Sequence, residues 1–201
     1  MQFIMQNFLR YLWPKPPEGY ISTWTKRNSI RFFRSSELDE ADSYMKAIAN
    51  QEDVYFTVAL LKEQPARGRG SANDVAYLPC MHADFDLLND HNVHAKSALP
   101  KSVDELHDFL SEASIPQPSA LINSGNGVHA YWHLDAPLDL REQESHKRGA
   151  AMLSDFQKTI IKLAKTRRGW DFDNTGDLAR VLRYPGTKNH KTNPPKNVEV
   201  M

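Results

Sequence analysis

Three times along this chain, two short apolar runs are followed by a segment of helical period, and few architectures accommodate that order. Gly19-Tyr-Ile-Ser-Thr-Trp-Thr and Ser29-Ile-Arg-Phe-Phe-Arg read as a hairpin, and the acids after Ser36 open a helix over about residues 38–49. Val54 to Leu61 and Tyr77 to Leu87 read as strands, followed by a helix from Ser102 to about Ala113. Ser102 with Glu105 three residues on is a capping box at its start. Ala120 to Leu134 makes two strands around Ser124-Gly-Asn-Gly, a hairpin signature. Arg141 to Arg168 makes a long amphipathic helix closed by Gly169. A helix over residues 2–13, stopped by Pro14-Lys-Pro-Pro, precedes the series, and Asp177 to Arg183 reads as a short helix near its end. The order α-β-β-α-β-β-α-β-β-α predicts an α/β two-layer sandwich and not a doubly wound parallel sheet. No Gly-rich dinucleotide or phosphate-loop fingerprint is present.

Two carboxylates sit where this pattern makes them matter. Asp84-Phe-Asp86 ends the apolar run that begins near Val75, and residues two apart on a strand share a face. Like charges held that close repel and raise each other's pKa unless a cation intervenes, and Mg²⁺ or Mn²⁺ suits hard oxygen ligands. Read alone, the pair also fits solubilising acids at a strand end, beside the turn-forming Asn89-Asp-His-Asn.

The Ser124-Gly-Asn-Gly hairpin returns through His129, Tyr131 and His133, which alternation puts on one face. Gly125 and Gly127 are expected to present backbone N–H groups as a small anion nest, with Ser124 and His129 beside it. A purely structural hairpin is the plainer alternative.

Net charge is zero, with 25 basic and 25 acidic residues, which is mild counter-evidence to a nucleic-acid partner. The distribution says more. Lys158 to Lys196 carries ten Lys and Arg against Asp171, Asp173 and Asp177. Within it, Arg183-Tyr-Pro-Gly-Thr-Lys-Asn-His-Lys191 is a basic turn, and acids flanked by such cations suit a site for both metal and triphosphate. A salt-bridged surface turn is the alternative. An earlier loop, Glu63 to Asp74, carries Arg67 and Arg69 and fits either a solvated loop or a grip on a phosphate backbone.

The single cysteine, Cys80, excludes a disulfide framework and a zinc-binding cysteine set, so zinc is not expected. No apolar run reaches the length of a membrane span, and the N-terminus lacks a signal-peptide pattern. A cytoplasmic protein with no membrane partner is the expectation.

Taken in order, these motifs resemble the archaeo-eukaryotic primase superfamily, and most nearly the RepB-type primases and primase-polymerases of plasmids and phages. That group has an Asp-x-Asp strand end, a Ser-Gly-to-His hairpin and a later Asp before an Arg-x-Pro-Gly-Thr-x-Asn-x-Lys turn. The matching positions are Asp84 and Asp86, Ser124 and His129, then Asp171 followed by Arg183 to Lys191. The resemblance implies a single catalytic domain over residues 1–201, with an N-terminal α/β lobe over about 1–74 and an RRM-like, palm-like lobe over about 75–201 bearing an antiparallel or mixed sheet. It implies that Asp84, Asp86 and Asp171 are catalytic and hold two Mg²⁺ or Mn²⁺ ions. Asp173, two residues on, is a possible substitute for Asp171.

Ser124, Gly125, Gly127, His129, Arg183, Asn189 and Lys191 are implied to bind the incoming NTP or dNTP. The implied activity is template-directed nucleotidyl transfer making primers on single-stranded DNA. The implied partners are that template and a helicase or C-terminal helical domain, in cis or in trans. A steric gate for the nucleotide sugar is expected at Tyr131 or Tyr184. The same acids fit a metal-dependent nuclease or phosphohydrolase, though neither needs the Arg183 turn. A non-catalytic single-strand binder is the third reading, and three acids on its face argue against it.

Overall fold

A computed structural model describes residues 7–27, 29–88 and 98–201. The alternation is realised almost element for element. Helix α1 (Phe8–Leu12) is capped by the Asn7 side chain, which accepts the Arg10 N–H; the rest of the expected 2–13 helix lies outside the described residues. Strands β1 (Tyr20–Thr25) and β2 (Ile30–Arg34) pair as the expected hairpin, followed by α2 (Leu38–Ala47). The run from Val54 breaks into β3 (Val54–Thr57) and β4 (Leu60–Leu61). Then come β5 (Val75–Asp86), α3 (Val103–Glu112), β6 (Ala120–Asn123), β7 (Gly127–Asp139) and α4 (Gln143–Arg168). Ser102 caps α3 by accepting the Glu105 N–H, and Gly169 ends α4 at φ 71°, in the left-handed region. The turn from Asn89 to Asn92 lies outside the described residues.

The short helix expected over Asp177 to Arg183 is a correction. The segment makes one turn, closed by Arg180 N–H to Asp177 carbonyl, and then becomes β8 (Val181–Arg183). The strand wins because β3 offers it a ladder, with Leu182 opposite Phe56, and pairing satisfies backbone groups that a helix as short as Asp177 to Arg183 would leave open. Strands β9 (Thr187–Asn189) and β10 (Lys196–Val200) finish the chain.

Every strand pairing is antiparallel, in the order β8-β3-β1-β4-β5-β7-β6-β10-β9 with β2 on the side of β1. The two ends of that order are consecutive in the chain. Tyr184 N–H donates to Val54 of β3, and Gly186 N–H donates to Val198 of β10. The sheet therefore curls until its edges lie a turn apart. Its inner face buries Ile21, Phe56, Leu60, Cys80, Ile122, Tyr131, Leu182 and Val198 around Phe8, Leu9, Leu12 and Trp13 of the α1 region and Leu38, Ala41 and Met45 of α2. Against the other face, α3 and α4 pack Leu106, Phe109, Leu153 and Ile160 onto Met81, Ala83, Phe85, Val128 and Ala130. The α3–α4 layer on β5, β7 and β6 is the two-layer unit that the alternation predicts.

Candidate active site

Beside β5 the curl leaves a gap. β4 pairs only with the first residues of β5, up to Tyr77, so the later part of that edge is open to the segment before β8. Thr175 fills it: its hydroxyl accepts the Asp84 N–H at 3.3 Å, while Gln157 of α4 donates to the His82 carbonyl at 2.7 Å and accepts from Thr175. These contacts hold the end of β5 where Asp84 and Asp86 stand.

Asp84 and Asp86 share a face, alternating with Ala83 and Phe85, which are buried toward the helices. The β5–β7 ladder sets His129 directly across from Asp84 and Gly127 across from Asp86. Gly127 is required there, because a Cβ would sit 2.3 Å from the Phe85 carbonyl oxygen. His129 is 2% exposed and Asp84 34%, with Nε2 and Oδ1 3.7 Å apart. Burial, assisted by the Arg183 charge, pulls the imidazole down to about 3. It is neutral at neutral pH, so the 3.7 Å approach to Asp84 is not an ion pair. Its Nδ1 is buried with no hydrogen-bond partner among the described residues.

Arg183 comes from β8 and is 8% exposed. Its Nε donates to Asp53 Oδ1 at 3.2 Å, its guanidinium lies 5.0 Å over the Tyr55 ring, and its Nη2 is buried without a partner among the described residues. Asp53 also accepts the His190 N–H at 3.0 Å and pairs with Lys26 at 3.0 Å. Burial alone would raise the Asp53 carboxyl; the His190 N–H, Arg183 and Lys26 outweigh it and hold the group below its ordinary value. Burial chiefly raises the Tyr55 phenol, with Arg183 opposing and Asp53 and Asp84 adding to the rise. Asp84, His129, Tyr55 and Arg183 thus share one electrostatic neighbourhood. A buried guanidinium with an open N–H and a buried neutral histidine beside a carboxylate together suit an anion that arrives with a cation.

The Ser124 hairpin is more structural than the sequence suggests. Gly125 has φ +92° and donates its N–H to Asn123 Oδ1 at 2.8 Å, and the Ser124 N–H goes to the Gly127 carbonyl. The expected nest therefore lacks the Gly125 amide. Asn189, 1% exposed, donates to the Ser124 carbonyl at 2.7 Å and accepts the Lys191 N–H at 3.1 Å, so it clamps the hairpin to the basic turn. The Lys191 side chain is exposed.

Asp171 is placed differently. Trp170 and Phe172 on either side are buried, with Phe172 4.9 Å from the Phe85 ring, and the Asp171 carboxylate pairs with Lys165 at 2.8 Å. Asp173 is exposed, and Asp177 pairs with Arg180 at 2.7 Å. Among the described residues, no three His, Cys, Asp or Glu side chains are grouped to hold a metal. Asp84 and Asp86 fit a hard divalent cation as a same-face oxygen pair, and the third carboxylate is not assembled with them.

Tyr131 and Tyr184 do not line a nucleotide pocket. Both are fully buried against Phe8, and the Tyr184 hydroxyl donates to Asp42 at 2.6 Å. Tyr55 is the tyrosine at the site. Sequence reasoning missed Tyr55, Asp53, Gln157 and Thr175, since each acts through a partner far along the chain; Asp53 and Arg183 are 130 positions apart.

No protein-family model matches this chain, and no curated protein matches it. Among solved structures it is similar to the AEP domain of the primase-polymerase of cyanophage S-2L, with a TM-score of 0.58 over 96% of this chain and 86% of that one, at 15% identity. The chain has the archaeo-eukaryotic primase fold. In this fold the Tyr55 phenol feels the Asp84 charge and the His129 ring that of Arg183, and among the described residues no helix is long and apolar enough to cross a membrane.

Proposed function

We propose that this chain is the catalytic core of a DNA primase or primase-polymerase, joining NTP or dNTP units on a single-stranded DNA template for plasmid or phage replication. One observation carries the reading: Asp84, which shares its strand face with Asp86, and a buried Arg183, whose Nη2 has no protein partner among the described residues, both act on the Tyr55 phenol. A nucleoside triphosphate with its divalent cation answers both charges. When bound, Mg²⁺ or Mn²⁺ lowers the pKa of an attacking hydroxyl and neutralises the triphosphate. Asp84 and Asp86 hold the cations, with Asp171 as the third carboxylate once it leaves Lys165, or Asp173 in its place. Arg183 and His129 orient the phosphates, the neutral imidazole donating one N–H. Ser124, Gly127 and Asn189 set the hairpin beside them, and Lys191 reaches the outer phosphates from the solvent side.

The test is synthesis on a single-stranded template with labelled nucleotides and Mg²⁺ or Mn²⁺, comparing wild type with Asp84→Asn/Asp86→Asn. Labelled oligomers from wild type alone support the reading. Template degradation replaces it with a hydrolase, and binding without product in both proteins replaces it with a non-catalytic binder. A hydrolase has no need of the Arg183 turn.

A further inference from the structure

The loop from Glu63 to Asp74 is not drawn into the site described above, yet its Arg69 is held in place. The Ser22 hydroxyl donates to the Arg69 carbonyl at 2.8 Å, and the guanidinium lies 5.2 Å over the Trp24 ring. Arg69 Nε is buried with no hydrogen-bond partner among the described residues. Trp24 is directly opposite Tyr55 in the β1–β3 ladder, and Tyr55 is directly opposite Arg183 in the β3–β8 ladder. Direct partners share a face. The Trp24 and Tyr55 rings are 5.1 Å apart, and Arg183 lies 5.0 Å over Tyr55. The result is a row, Arg69–Trp24–Tyr55–Arg183, crossing three strands on the face opposite the buried Phe56 and Leu182 and ending at the candidate active site.

We infer that this row seats the single-stranded polynucleotide itself, its bases stacking on Trp24 and Tyr55 while Arg69 meets a phosphate. Two half-buried rings between two guanidinium groups match a strand that is both aromatic and anionic. An apolar partner would leave Arg69 unanswered. The inference rests on the primase reading for the strand's identity as template, and it adds the residues that hold it.

Tryptophan fluorescence reads this directly. Trp13, Trp132 and Trp170 are at most 8% exposed, so Trp24 is the tryptophan a strand can reach. Titration with an oligo-dT strand, in EDTA and without nucleotide, is independent of any polymerisation. We expect quenching that disappears in Trp24→Phe, while anisotropy shows that this variant still binds. Trp24→Ala weakens binding on the order of tenfold. Arg69→Gln, in a surface loop, weakens it and reduces the slope of log affinity against log salt by about 0.7. Unchanged fluorescence, wild-type affinity in both Trp24→Ala and Arg69→Gln, or equal quenching by an abasic strand would each overturn the inference. So would a Trp24-dependent change in oligomeric state with no response to the strand, which would make the face a contact between copies. Loss of primer synthesis with strand binding intact would instead count against the primase reading alone.

Discussion

Asp53 shows how much one residue organises. It is 4% exposed and answers Arg183, Lys26 and the His190 N–H together. Removing one partner of a buried ion pair leaves the other charge uncompensated. Asp53→Ala should lose about 3 kcal/mol in urea denaturation. Asp53→Asn, which keeps the shape, should instead show its main loss as a raised KM for the nucleotide, because Arg183 is no longer held. A wild-type KM in Asp53→Asn would mean that Arg183 orients itself. Gly127 is constrained by sterics in the same region. Its missing Cβ lets β7 approach the Phe85 carbonyl, so Gly127→Ala should destabilise by about 2 kcal/mol or more, seen as a lower urea midpoint.

At the scale of elements, the last turn of α4 and the segment after it decide where the third carboxylate stands. Lys165 holds Asp171 in a half-exposed ion pair, an interaction of modest strength. If Asp171 leaves that pair to join Asp84 and Asp86, Lys165→Met should lower the Mn²⁺ concentration for half-maximal activity about two- to fivefold. An unchanged metal titration would assign the third position elsewhere, with Asp173 next to be tested. The helices themselves were legible because their signals are local: Ser102 and Glu105 mark one start, and Gly169 marks one end. Strand β8 was not legible. Asp177 to Arg183 has helical composition, and only β3, more than a hundred residues earlier, makes it a strand.

For the whole molecule, two buried histidines link stability to pH. Burial first, then Arg180 for His82 and Arg183 for His129, lowers both from 6.5 to about 3. Between those values the unfolded chain binds protons that the folded chain refuses, so stability rises with pH across the window. It is fully present above 6.5 and is lost as pH falls toward 3. Each histidine adds a slope of up to about 1.4 kcal/mol per pH unit. Asp53, held low, acts in the same direction once pH drops below its ordinary value of 3.8. Urea denaturation at pH 7 and pH 5 should show the loss, and His82→Gln should shrink the difference; an equal difference in the variant would remove His82 from the account.

The sequence by itself determined the periodicities, and with them ten of the pieces that build the sheet and its helices. It also determined that Asp84 and Asp86 share a face, since a strand's two-residue repeat is local geometry. The tertiary structure alone decided which charges meet. The curl of the sheet brings Arg183 to Asp53 and toward His129, sends Asp171 to Lys165, and buries Tyr131 and Tyr184 against Phe8 while leaving Tyr55 at the site. The physical reason is separation along the chain. Backbone repeat fixes neighbours a few residues apart, whereas an ion pair spanning 130 positions exists only once a packed core has folded the strands between them into place.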